Sequence, residues 1–177
     1  MNQSRNPFTA ITTASSSGIS GFSPLTLTKD CDNAHKTPEF EFQGKRQSFC
    51  FAKKQGFIPL LVHEIIVMRK KLKQELKANY SPALNARSYA LKTIMNATYG
   101  YYGFFGARYY SVECAASITA FARHYIKMVI DIAEKDGFYV TYSDTDSISF
   151  TLGSKTKNDM LEFQKKINNQ LPGDMEL

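Results

Sequence analysis

Six residues, Tyr142-Ser143-Asp144-Thr145-Asp146-Ser147, constrain this chain more than any other stretch. Phe138 to Thr141 precede them and Ile148-Ser149-Phe150 follow, so aromatic, β-branched and hydroxylated residues frame the acidic pair on both sides. That is the composition of a strand, a tight turn and a returning strand. Asp144 and Asp146 therefore belong at a hairpin tip. In extended backbone, side chains two residues apart leave on the same side, and two carboxylates held that close repel unless a cation lies between them. A hard divalent ion with oxygen ligands, such as magnesium, resolves the repulsion.

A chain of 177 residues can surround such a hairpin with one core, or with two small subdomains sharing one. Its hydrophobic content of 43% with 13% aromatics marks a folded globular chain, and its longest apolar runs fall far short of a membrane span. Met1 to Ala14 are polar and contain no apolar core of a signal peptide, so an intracellular location is expected. The three cysteines, Cys31, Cys50 and Cys114, are odd in number and lack short paired spacing. They predict free thiols in a reducing compartment, with neither a disulfide framework nor a zinc site.

The net charge is +6, and most of it is concentrated. From Glu64 to Lys92, seven positive residues (Arg69, Lys70, Lys71, Lys73, Lys77, Arg87, Lys92) face two negative ones (Glu64, Glu75), a local excess of +5. Lysine runs usually mark a solvated helix face. A stripe this dense is also the footprint of a phosphate-binding surface.

Residues 1 to 37 include the Ser/Thr-rich run Thr12 to Gly18 and show neither helical nor strand periodicity, so an irregular segment is expected there. Glu39-Phe40-Glu41-Phe42 and Ser48-Phe49-Cys50-Phe51 both alternate, with Gln43 to Arg46 able to turn between them. They predict a β-hairpin within residues 38 to 56. After Pro59, Leu61, Ile65, Met68 and Leu72 recur at helical spacing, giving a helix that runs to about Ala78. Arg69 and Lys73 share a face bordering that apolar stripe and could look into a groove. Ser81 and Pro82 then cap and start a second helix, and the short connection predicts an antiparallel pair over 57 to 103. In this second helix Lys92, Asn96 and Tyr99 line one face, while Leu84, Leu91, Met95 and Tyr102 form the apolar one. Glycines alternate with rings from Gly100 to Gly106; such a stretch serves as a helix end over a core, or as a surface where another backbone or a base can approach. A long helix with Ala115, Ile118, Ala122, Ile126, Val129 and Ala133 inward is expected over 111 to 135, followed by the acidic hairpin and a last helix from about Lys157 to Asn169.

Taken singly, these features decide little. An Asp-x-Asp in a loop most often caps backbone amides. An EF-hand is excluded because Ile148 stands two residues after Asp146 with no glycine nearby. His35, His63 and His124 are unclustered, which argues against a histidine metal site or a catalytic triad.

Together they are specific. Tyr142 to Ser147 resembles the Y-x-D-T-D-S catalytic motif of family B DNA polymerases. Lys92-Thr93-Ile94-Met95-Asn96-Ala97-Thr98-Tyr99-Gly100 resembles that family's fingers motif K-x-x-x-N-S/A-x-Y-G. The helix from Gly56 through Arg69 and Lys73 is similar to its other fingers helix, and Tyr101 to Ala115 look like the archaeal, viral and eukaryotic branch. The resemblance extends from about Phe22 to the last residue. It implies an α+β fold in which antiparallel fingers helices (57 to 103) are inserted into a partial palm (38 to 56 and 104 to 177). It also implies roles: Asp144 and Asp146 as catalytic carboxylates for two magnesium ions, with Asp146 the direct ligand; Arg69, Lys73, Lys92 and Asn96 around the incoming triphosphate; and Tyr99 with Gly100 against the nascent base pair. The implied partners are primer–template DNA and deoxynucleoside triphosphates.

The chain departs from the family at one place. The first palm motif, D-x-x-S-L-Y-P-S, should precede the Ser23-Pro24-Leu25-Thr26-Leu27 landmark, where Thr12 to Gly18 stand instead. Asp30 and Asp32 come after that landmark and do not inherit the role. The reading is thus a polymerase fragment, inactive alone, whose missing palm, exonuclease and thumb parts would come from elsewhere, such as a second polypeptide. A nucleic-acid-binding or assembly subunit is the alternative. A sugar-nucleotide transferase using the Asp-x-Asp would leave the fingers motif and the basic helix pair unexplained.

Overall fold

The computed structural model describes residues 22–144 and 147–171. The elements are short strands β1 (Leu27–Thr28), β2 (Ala34–Lys36), β3 (Phe40–Phe42), β4 (Lys45–Gln47) and β5 (Cys50–Ala52), then helices α1 (Phe57–Ala78), α2 (Pro82–Gly103) and α3 (Val112–Lys135). The hairpin β6 (Tyr139–Asp144) and β7 (Ser147–Thr151) and helix α4 (Lys157–Gln170) follow. The class is α+β, as expected.

Among the described residues, three small antiparallel sheets accompany the helices: β1-β5-β2, β3-β4 and β6-β7. The expected hairpin over 38 to 56 is redistributed. β3 pairs with β4, whose Lys45 and Arg46 belong to the turn in the sequence reading, while Cys50–Ala52 joins β1 and β2. The positive φ of Gln43 and Gly44 closes the β3-β4 turn early, and that releases Cys50 and Phe51 to be buried elsewhere.

The segment before Lys36 is also more regular than its composition suggested. Thr26 accepts from the Ser23 amide and donates back to the Ser23 carbonyl, fixing a 3₁₀ turn over Pro24–Thr26. The run Thr12 to Gly18 lies outside the described residues.

Cys31 and Cys50 form a disulfide, Cα–Cα 5.4 Å, and only Cys114 is a free thiol. The expectation of three free thiols is therefore corrected. An odd count forbids full pairing but not one pair, and the pairing of β5 with both β1 and β2 brings Cys50 beside the loop that carries Cys31.

Two cores hold the described residues together. Phe22, Phe51, Ile58, Val62, Tyr102, Cys114, Ile118 and Phe121 form the first, joining the sheet at β5 to α1, α2 and the start of α3. The second collects Val129, Ala133, Phe138, Phe163 and Ile167 from the end of α3, the hairpin and α4. Since α3 contributes to both, its 24 residues form a rod about 36 Å long connecting the helix pair to the acidic hairpin. Ser111 caps its first turn by accepting from the Cys114 amide. At its far end Lys166 of α4 holds both carboxylate oxygens of Asp136 at 2.7 Å.

The apolar stripe of α1 differs in register from the sequence reading. Ile58, Val62, Ile65 and Leu72 are buried, whereas Leu61 and Met68 are exposed. Continuing the buried line by helical spacing from Ile65 passes through position 69, so Arg69 lies within the stripe instead of along its border.

Candidate functional site

The basic helix pair is built by α1 and α2, which pack antiparallel across the short 79–81 connection. Their packing brings the Arg69 Nε to donate to the Ser88 carbonyl at 3.3 Å. Ser88 is itself buried, and it begins the buried line Ser88, Met95 and Tyr102 of α2. Arg69 is thereby anchored at the helix–helix seam. A guanidinium carries five N–H donors, so one anchoring bond leaves capacity for bidentate contact with a phosphate. Burial pulls its pKa below the ordinary value.

Lys73 is one turn further along α1. Partial burial lowers its pKa first, and the positive charges of Arg69, Lys77 and Lys92 lower it further. By helical spacing around the Arg69–Ser88 contact, Arg69, Lys73 and Lys77 from one helix and Lys92 from the other lie on a single side of the pair. Such crowding of cations costs free energy and is relieved by an anion. Asn96 follows Lys92 by four residues on the same α2 face and is exposed, while Tyr99 is half-buried against the first core. Gly100 is exposed, and a Cβ added there would meet nothing within 4 Å. Lys77 was not singled out by sequence; its spacing of eight from Arg69 was the available signal.

The acidic hairpin is where its residues predicted it. β6 ends at Asp144, which pairs with Ser147 at the start of β7. Thr145 and Asp146 lie outside the described residues, so the structure tests only half of the predicted carboxylate pair, and only its backbone. A bulge between Val140 and Tyr142 re-phases β6. Before it, Val140 packs on the second core opposite Phe150. After it, Tyr142 is paired with Ser149 and is 61% exposed, while Ile148 and Phe150 still pack inward. The hydroxyl of Thr141, the extra residue, donates to the Ser149 carbonyl at 3.1 Å. Simple alternation could not have shown this, because one bulge residue reverses the face of everything after it. Among the described residues no cluster of three or more His, Cys, Asp or Glu is placed to hold a metal. Nor is any helix among the described residues long and apolar enough to cross a membrane.

The described residues thus form an α+β scaffold in which one long helix joins a cationic helix pair to an acidic hairpin. Residues 20–174 match DNA polymerase family B, and the chain belongs to that family. It is 44% identical over 131 residues to the DNA polymerase of Thermococcus sp. (strain 9oN-7), covering 69% of this chain and 17% of that one. It is 39% identical over 165 residues to the DNA polymerase of Pyrococcus glycovorans, covering 88% and 20%. The family B DNA polymerase from the archaeon Pyrobaculum calidifontis superposes with a TM-score of 0.65 at 27% identity, over 96% of this chain and 22% of that structure. The chain thus spans about a fifth of the length of the relatives it matches.

Proposed function

We propose that these residues are the fingers and the second part of the palm of a template-directed DNA polymerase, which adds deoxynucleotides to a primer 3′-hydroxyl. The observation that carries the reading is that Arg69, Lys73 and Lys92 share one side of the helix pair, by helical spacing from the Arg69–Ser88 contact. In this reading Arg69 grips phosphate through its fork, Lys73 and Lys92 act as point charges, and Asn96 orients the nucleotide. Tyr99 packs beside the nascent base pair, where the bare backbone of Gly100 admits a minor-groove edge without reading sequence.

Asp144 and Asp146 are the residues that would hold magnesium. Their hard oxygen donors suit that ion, and Asp144 pairs through its backbone with Ser147 at the end of the β6-β7 ladder. Two bound magnesium ions would supply charge neutralisation at the triphosphate and a lowered pKa at the primer hydroxyl. The chain's own part is to align the nucleotide, and an oriented clamp of this kind contributes through positioning and fixed charge.

The isolated 177 residues are expected to be inactive, since the acidic hairpin brings only Asp144 and Asp146 and the first palm motif is not recognisable. The test is incorporation of a labelled deoxynucleotide on a primed template with magnesium. Robust synthesis by the isolated chain would refute incompleteness; synthesis only when the missing palm segment is added, and abolished by Asp146→Ala, is expected. The second reading, a nucleic-acid-binding or assembly subunit, is favoured by the +5 excess on the helix pair. Salt-dependent DNA binding that Asp146→Ala leaves intact, with no synthesis even after complementation, would select it.

A further inference from the structure

Arg69, Lys73 and Lys77 stand four residues apart on α1, so they form one row, about 12 Å from first to last at 1.5 Å per residue. Lys92, Asn96 and Asn85 lie on the matching flank of α2. Antiparallel helices wind in opposite senses when seen from one end, so the flanks ahead of the seam residues Arg69 and Ser88 open on the same side. The row therefore continues beyond the three cations already placed, outward to the exposed end of the pair where Lys77 sits. Lys71, two residues after Arg69, points to the opposite side of α1. The charges that bear on Lys73 agree with this layout, for they come from Arg69, Lys77 and Lys92.

We propose that Lys77 is a fourth phosphate-binding cation of this groove, an outer station that captures the triphosphate of an incoming nucleotide and passes it inward to Lys73, Arg69 and Lys92. This rests on the triphosphate reading of the groove given above. The ordinary role for a lysine in a final helical turn is to complement the negative end of the helix dipole. That role would affect helix stability but would not separate one phosphate from three.

The experiment is calorimetric titration of the full chain with magnesium-dATP and with dAMP, at low and at physiological salt. Lys77→Ala should weaken dATP binding about two- to fivefold, the scale of one exposed charge contact, and leave dAMP unchanged. The loss should shrink at higher salt. Lys77→Arg should restore binding, and Lys71→Ala, the same charge removed from the other face, should have no comparable effect. Parental dATP affinity in Lys77→Ala alongside a loss in Lys73→Ala would overturn the proposal and keep the groove. Unchanged affinity in both variants would overturn the groove reading and the proposal with it. An equal loss in Lys71→Ala would reduce Lys77 to general charge. Weaker binding of a short oligothymidylate with dATP binding intact would also overturn the proposal, assigning Lys77 to strand phosphates.

Discussion

The hydroxyl of Tyr102 donates a 2.8 Å hydrogen bond to the backbone carbonyl of Phe22, joining residues 80 apart in sequence. Both are fully buried in the first core, where Phe22 also packs edge-on against Phe51 with ring centroids 4.7 Å apart. Burial, with a smaller push from Cys114, raises the Tyr102 phenol well above its usual range, so it stays a neutral donor. Tyr102→Phe keeps the shape and orphans the Phe22 carbonyl, which costs about 1–3 kcal/mol. The expected result is a lower urea midpoint with unchanged slope and unchanged helical circular dichroism. A midpoint equal to the parent's would show that the bond contributes nothing.

The start of α1 depends on a close approach. A Cβ on Gly56 would lie 2.7 Å from the Cβ of Ser23 and 3.2 Å from Cδ of Pro59. Neither is the end of a flexible chain, so backbone must move. Gly56→Ala should destabilise by about 1–3 kcal/mol, the usual scale of overpacking. Removing the opposing atom in the double variant Ser23→Gly, Gly56→Ala should recover part of the lost thermal stability, and purely additive losses would contradict the contact.

Much of this fold and site was legible in the residues, and the gaps have physical causes. Helix boundaries were readable because Pro82, Ser111 and the Asp136-Gly137 stop act locally, within one turn. The acidic hairpin was readable because strand-forming residues flank it on both sides. The pairing of β5 with β1 and β2, the disulfide and the inward position of Arg69 were not, since each depends on which partner a segment meets in space. Arg69 shows the limit most plainly. Helical spacing from Leu61, Ile65, Met68 and Leu72 put it at the edge of the stripe, and only the Ser88 carbonyl across the seam explains how a cation is accommodated within it. The bulge at Thr141 had no signal in composition at all.

The disulfide gives a prediction on stability. Cys31 and Cys50 are separated by 19 residues, and a crosslink closing a loop of this size contributes about 3 kcal/mol by restricting the unfolded chain. Burial raises the remaining thiol, Cys114, to about 12, so it should be unreactive in the folded protein. In denaturant, a thiol reagent should titrate one cysteine in the oxidised protein and all three after reduction. Reduction should also lower the melting temperature. Three reactive thiols without reductant would mean that the bond does not form.

Lys73 should cost the protein stability at neutral pH, since its folded pKa lies below the ordinary 10.5. Burial is the first cause, followed by the charges of Arg69, Lys77 and Lys92. For a base shifted down, the penalty is complete at pH values below the folded pKa, where both states are charged. It fades as pH rises from that folded value toward 10.5, and is absent above, where both states are neutral. Lys73→Met should therefore be slightly more stable than the parent at pH 7, by less than about 1 kcal/mol because the side chain is largely exposed and screened. The difference should shrink as pH approaches 10.5 and also in high salt, where neighbouring charges are screened. The same variant should bind magnesium-dATP more weakly, so stability and nucleotide affinity move in opposite directions. Paired denaturation curves and titrations across that pH range check both halves. A Lys73→Met protein that is less stable than the parent at pH 7 would show that its methylenes matter more than its charge, and that the cations of this groove are not strained against one another.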